Sequence, residues 1–389
     1  MLILSIETSC DETAISLIKA EGEFPDATYE ILGDGLWSQV DVHAEYGGVF
    51  PALAKREHAR TLVPMLQEAA TEAGILEDHP ADLSDADTTK VHELLSREEG
   101  LADALIEFFS NHSLPKIDLI AVTSGPGLAP ALWVGVSFAK ALAHITETNV
   151  IPVNHMEGHI LASIYDADRD DMLSNINFPT ISLLISGGHT ELINMSDWGQ
   201  YSKIGQTRDD AVGEAFDKVA RLLGLPYPGG PAISKLAATA RAEELPEFAP
   251  LPRPMINSGD LDFSFSGLKT AVRYAVAEKE LTDDEKSAVA RDFEDAVTET
   301  LLKKTSTAVT NTGAKTLIVG GGVSANQFIK RAFEKHFLNE FPDCTVYFPS
   351  PSLATDNSIM IALAGHARAT SALSPGGAAA IQADGNKSL

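Results

Sequence analysis

Short, mostly apolar runs recur along the chain at 2–7, 117–123, 150–153, 178–185 and 317–319, each ending at glycine, proline or a polar cluster. Runs of this length without alternation predict strands buried on both faces, in a sheet covered by helices. Between them the apolar period lengthens to that of a helix at 52–73, about 88–111, 131–146 and 281–310, with a last small-residue helix ending near 371. Two of the strands turn straight back, 2–7 into 14–18 through a polar turn and 178–185 into 191–195 through a glycine turn. Two hairpin-led α/β units predict an internally duplicated fold with a cleft between its halves.

Composition narrows the class. A chain of 389 residues with 44% hydrophobic and 22% charged residues predicts a globular protein of two domains. Its two cysteines, Cys10 and Cys344, exclude a disulfide framework and argue against a Cys-based zinc site. No apolar run reaches the length of a membrane span and the start carries no basic leader, so a cytoplasmic protein without a targeting segment or a membrane partner is expected. Net charge of -26 counts against nucleic acid on the average surface, though it does not exclude a local basic patch. The densest basic cluster of the N-terminal half is Lys55, Arg56, His58 and Arg60, either a solvated helix face or a phosphate contact. From 77 to 113 ten acidic residues stand against Lys90 and Arg97, which reads as a surface insertion.

The turns carry the chemistry. After the strand ending at Val153, His155 and His159 stand four apart, on one helix face and within reach of one metal ion, or as polar residues sharing a solvated face. Asp356-Asn357 offers an oxygen ligand far along the chain. Ser124-Gly125-Pro126-Gly127 and Ser186-Gly187-Gly188 place backbone N–H groups where an anion fits, and also suit close packing. Gly320-Gly321-Gly322 with Asn326 either admits a flat ligand, the Asn326 amide reading a sugar or base edge, or permits a tight turn. Asp217 is a ribose ligand or an ordinary helix charge, and Asp11-Glu12 tips the first hairpin.

Glu7 to Thr13, His43 to Pro51, Ser124 to Gly127, His155 to His159, Ser186 to Thr190, Gly213 to Lys218, Tyr227 to Pro231, Gly320 to Asn326 and Asp356-Asn357 together resemble the universal tRNA N6-adenosine threonylcarbamoyltransferase family of the bacterial TsaD type. The resemblance implies an actin-like, two-lobed α/β fold with duplicated RNase H-like subdomains. The lobes would be 1–150, decorated by the insertion 77–113 and completed by a helix at about 356–371, and 151–355, with a flexible tail at 375–389. It implies one Fe2+ per subunit, or Zn2+ in its place, on His155, His159 and Asp356. Leu184, Ile185, Ser186, Gly187, Gly188, Asp217, Gly230 and Asn326 would hold the nucleotide-bearing substrate, threonylcarbamoyl-AMP. The other substrate would be tRNA, and TsaB-like and TsaE-like companion proteins are expected.

The purine amine that such an enzyme modifies is a poor nucleophile, so catalysis should rest on positioning and on stabilising charge at the carbamoyl oxygen. Asp11 or Glu12 is the expected general base, with Ser186-Gly187-Gly188 receiving the phosphate. A zinc peptidase needs Glu directly after its first histidine, where this chain has Met156. An actin-like kinase or chaperone-type ATPase switch fits the glycine turns but leaves the two histidines unexplained.

Overall fold

Five of the six residues of β1 (Leu2–Glu7) are buried, Ser5 and Glu7 along with its aliphatic residues, as in a strand covered on both faces. In the computed structural model, which describes residues 1–166, 173 and 175–389, this strand is the centre of the first sheet. β2 (Glu12–Glu21) pairs antiparallel with it from Leu2 opposite Lys19 to Glu7 opposite Ala14, and β3 (Thr28–Ser38) pairs antiparallel with β2. β3 escapes the sequence pattern because Gly33 and Gly35 interrupt it. Both are required by close approach: a Cβ would stand 2.1 Å from Ala69 O at Gly33 and 2.5 Å from Met65 O at Gly35. Those carbonyls belong to α2 (Pro51–Glu72), which follows the short α1 (Val40–Ala44) and lies against the strand.

The acidic segment forms two helices rather than one. Ser84 and Asp87 make a reciprocal capping box that starts α3 at Asp85–Leu94, and Gly100, at φ +76°, breaks the run before α4 (Leu101–Asn111). Leu101, Leu105, Phe108 and Phe109 then enter the unit's core, so only the outer side of the segment is an acidic surface. β4 (Leu119–Gly125), α5 (Ala129–Thr146) and β5 (Asn149–Asn154) complete a sheet of order β3-β2-β1-β4-β5, its last two strands parallel to β1. α6 (His155–Ile164) leaves β5 directly.

The second sheet repeats this plan. β6 (Thr180–Ile185), β7 (Thr190–Asp197) and β8 (Gln200–Gln206) form an antiparallel meander, followed by α7 (Val212–Leu222), α8 (Gly229–Ala242), α9 (Ser266–Val276) and α10 (Asp283–Thr312). β9 (Thr316–Gly320), α11 (Gln327–Glu340) and β10 (Thr345–Tyr347) follow, and the parallel strands β9 and β10 give the order β10-β9-β6-β7-β8. Strand order and directions match the first sheet, which is the duplication expected from an actin-like fold.

The chain divides into one unit of Met1–Asn175 with Asp356–Leu389 and another of Ile176–Thr355. The first therefore runs past the boundary expected at 150, because β5 completes its sheet and α6 packs on α12 (Ser358–Ala367), where Gly158 faces Met360 and Ile361. Residues 375–389, expected to be a flexible tail, are tied down instead. Asp384 N–H donates to Ser124 O at 2.8 Å, Gly127 N–H to Gly385 O at 3.2 Å, and Lys387 Nζ to Ser124 Oγ at 2.8 Å. Small residues leave their backbone groups accessible, and those groups bond to the glycine turn after β4. Of the two uses open to that turn, an anion or close packing, the structure shows packing against the chain's own tail. Among the described residues no helix is long and apolar enough to cross a membrane.

His58, read from the sequence as part of a basic cluster, is fully buried on the inner side of α2. Its ring contacts Thr13 Oγ1 at 2.8 Å and Cys10 O at 3.0 Å, and burial pushes its pKa down from 6.5 to about 4. The unfolded chain thus takes up a proton near pH 6.5 that the folded chain refuses until about pH 4. Stability from this group is full above pH 6.5 and is lost as pH falls, by roughly 3 kcal/mol in total from the shift to about 4. Urea midpoints at pH 7 and pH 5 should therefore converge in His58→Gln relative to the wild type; an unchanged pH dependence would remove His58 as the cause.

Candidate metal centre

Two asparagines start the helices that carry the metal-type residues. Asn154 Oδ1 accepts from Met156 N at 2.9 Å and caps α6, while Asn357 Oδ1 accepts from Met360 N at 2.9 Å and caps α12. His155 and His159 therefore lie on the first two turns of α6, and Asp356 immediately precedes the cap of α12, where the positive helix end favours a carboxylate. All ten residues of α6 are buried, so a solvated histidine face is ruled out.

Ligand atoms of His155, His159 and Asp356 lie within 4.8 Å of one another. Asp356 Oδ1 is 3.4 Å from His155 Nε2 and 3.1 Å from His159 Nε2, and the two rings meet edge to face at 4.7 Å. Behind them, Glu7 Oε2 stands 3.1 Å from His155 Nδ1 and also accepts from Thr123 Oγ1 at 2.6 Å. Ser9 Oγ lies 3.2 Å from the same ring nitrogen. A proton on Nδ1 donated to Glu7 leaves the Nε2 lone pair facing Asp356 and His159, the arrangement of a carboxylate-supported metal histidine. Burial opposes a charge on His155, yet Asp356 and Glu7 together raise its pKa well above the usual value. Burial likewise opposes ionisation of Asp356, but the two imidazoles hold its carboxyl well below the ordinary range. Two buried carboxylates converging on two imidazoles call for a cation, and two nitrogens with one carboxylate oxygen suit Fe2+ or Zn2+. Glu7 is the residue sequence reasoning passed over; its signal is a lone carboxylate ending a mostly aliphatic strand.

Asp11 and Glu12 lie in the same electrostatic neighbourhood as Asp356. Burial pushes the Asp11 carboxyl up, and burial with repulsion from Asp11 and Asp356 pushes Glu12 up further. The turn is anchored by Gln39, whose N–H donates to Asp11 O at 2.9 Å and whose Oε1 contacts His43 Nε2 at 3.0 Å. Burial also raises the Cys10 thiol well above its normal pKa, which keeps it out of nucleophilic chemistry.

The nucleotide-type residues all belong to the second unit. Leu184 and Ile185 are buried strand residues that offer only backbone, and Ser186 O accepts from Gly213 N at 3.2 Å at the start of α7. A Cβ on Gly213 would stand 2.7 Å from Ser186 O, whereas Gly187, Gly188 and Gly230 face open space. Asp217 Oδ1 accepts from Gly229 N at 2.7 Å and so holds the start of α8 beside Gly230. The Asn326 side chain is engaged within the fold: Oδ1 caps α11, and Nδ2 donates to Ser234 Oγ and Glu294 Oε1, each at 2.7 Å. Asn326 thus ties the start of α11 to Ser234 of α8 and Glu294 of α10. The cluster at the start of α2 is not a free basic face, since Lys55 pairs with Glu98 at 3.1 Å, and Arg56 and Arg60 share Glu57 at 3.2 Å.

The family model described as "tRNA N6-adenosine threonylcarbamoyltransferase" matches residues 30–81 and 99–363, with part of the acidic segment unmatched between them and 1–29 and 364–389 outside the match. The protein of that name from Nitrosomonas europaea is 42% identical over 368 residues, covering 95% of this chain and 93% of that one. Its namesake from Ralstonia pickettii is 41% identical over 373 residues, covering 95% and 91%. Among solved structures, component A of (R)-2-hydroxyglutaryl-CoA dehydratase from Acidaminococcus fermentans aligns over 97% of this chain and 99% of its own at 12% identity, with a TM-score of 0.46. Matched by the model across most of its length and by relatives across nearly all of it, the chain belongs to the tRNA N6-adenosine threonylcarbamoyltransferase family.

Proposed function

We propose that the chain transfers the threonylcarbamoyl group of threonylcarbamoyl-AMP to N6 of adenosine 37 in tRNAs that read codons beginning with A. Family membership makes it a transferase of tRNA modification. N6 attacks the carbamoyl carbon, the bond from that carbon to the phosphate oxygen breaks, AMP leaves with the electron pair, and N6 gives up a proton. The observation that carries the reading is the buried convergence of His155, His159 and Asp356, which a kinase or ATPase switch would leave without a use.

Fe2+, or Zn2+ in its place, supplies Lewis acidity when bound to these three residues. Glu7 holds the His155 ring in the tautomer that points Nε2 inward. Asp11, with Glu12 as the alternative, takes the N6 proton at its carboxylate. The Ser186-Gly187-Gly188 turn and Gly230, whose glycines have room for a ligand, receive the phosphate and sugar of the activated donor, and Asp217 holds the start of α8 beside Gly230. A cytoplasmic location, and TsaB-like and TsaE-like companions, belong to the same proposal.

The test is transfer of radiolabelled threonine from preformed threonylcarbamoyl-AMP into a tRNA bearing adenosine 37, with and without the two companions. Label in the tRNA is expected. No label under any condition, from protein shown to be folded, would overturn the transferase reading.

A further inference from the structure

A chain whose formal net charge is -26 must hold RNA by something other than general attraction. Only three aromatic residues rank among the large apolar side chains exposed in the described residues, Tyr46, Phe50 and Tyr274. Two of them lie on one loop. Tyr46 and Phe50 are 64% and 56% exposed, and their rings stack with centroids 6.2 Å apart and planes at 21°. Gly47 at φ +69° and Gly48 at φ +148° fold the chain back between them, which a side chain at either position would resist. Water-exposed stacked rings cost solvation free energy unless a ligand covers them.

The pair is also placed and charged for a ligand. Phe50 directly precedes α2, whose first turn holds no acidic residue. From there Ala52, Arg56 and Arg60 follow at four-residue intervals on the exposed face. The two arginine side chains are 63% and 67% exposed, and with the single Glu57 they share, the group keeps one net positive charge. Glu45 beside the pair dilutes that charge, so stacking rather than charge must supply most of the binding. On its inner side the loop is fixed to the proposed catalytic turn: Phe50 N–H donates to His43 Nδ1, His43 Nε2 contacts Gln39 Oε1, and Gln39 N–H donates to Asp11 O.

We propose that Tyr46 and Phe50, flanked by Arg56 and Arg60, form a stacking platform for unpaired nucleotides of the tRNA loop that carries the target adenosine. This rests on the transferase reading above. Single-stranded RNA is held on aromatic and guanidinium planes because every base offers a flat face, whereas folded helices hide theirs.

The probe is a fluorescein-labelled anticodon stem-loop RNA containing adenosine 37, titrated with the full chain and followed by fluorescence anisotropy. The double variant Tyr46→Ala/Phe50→Ala should weaken binding by about tenfold or more, while Tyr46→Phe stays within about twofold. Arg56→Ala/Arg60→Ala should weaken binding and flatten the salt dependence by roughly one to two in logarithmic slope. Thermal melting confirms folding, which substitutions at exposed positions leave intact. Equal binding by the double alanine variant overturns the platform, as does a wild type that binds no stem-loop. A change in self-association with RNA affinity intact overturns it too, and makes the face a protein interface. Transfer of label is measured in parallel, so loss of the platform with transfer intact is distinct from failure of the transferase reading.

Discussion

His155→Ala is expected to remove bound iron or zinc from the protein and to abolish threonylcarbamoyl transfer. Three protein ligands leave no redundancy, and with His155 gone Asp356 keeps a single imidazole partner while Glu7 loses the one it supports. Glu7→Gln makes the graded comparison. It preserves volume and a hydrogen bond to His155 Nδ1 but removes the negative charge behind the ring, and such supporting changes cost roughly 10- to 100-fold in metal affinity. Metal analysis of the purified variants, together with the transfer assay, orders them wild type, Glu7→Gln, His155→Ala. Full metal content and full transfer in His155→Ala would reduce the cluster to a buried hydrogen-bonding triad.

Asp11→Ala should lower turnover by about 10²- to 10⁴-fold, the range a positioned base supplies, while tRNA and threonylcarbamoyl-AMP still bind and metal content is unchanged. The carboxylate sits on a turn whose geometry the backbone sets, with Gln39 bonded to Asp11 O rather than to its side chain, so truncation leaves the scaffold in place. Glu12→Gln is the discriminating partner, since Glu12 instead accepts a hydrogen bond from Ser38 Oγ at 3.3 Å. Retained turnover in Asp11→Ala with loss in Glu12→Gln would move the base role one residue along. Retained turnover in both would take the hairpin turn out of the proton transfer.

Where local pattern and tertiary context agree, the chain is legible. The apolar runs of β1, β4 and β6 sit in double-sided burial, and the spacing of His155 and His159 is a property of any helix, so strand, helix and pairing of the two rings follow from order alone. The duplicated hairpins were equally visible, because a polar or glycine turn between apolar runs is a local signal. What local signals miss is any role assigned by a distant neighbour. β3 and β8 mix glycine and polar residues on half-exposed outer strands, and their pairing comes from β2 and β7. His58 reads as one of four basic residues until α2 turns it inward against Cys10 and Thr13.

The same division runs through the site. Sequence by itself determined the duplicated α/β plan, the metal-type residues and the glycine turns, because each is a matter of residue type and spacing. Only the tertiary structure decided that Glu7 stands behind His155, that Asn326 is engaged by Glu294 and Ser234, and that Asp384, Gly385 and Lys387 bond to the turn after β4. Hydrogen bonds between residues far apart in the chain depend on where folding brings them, and no periodicity records that distance.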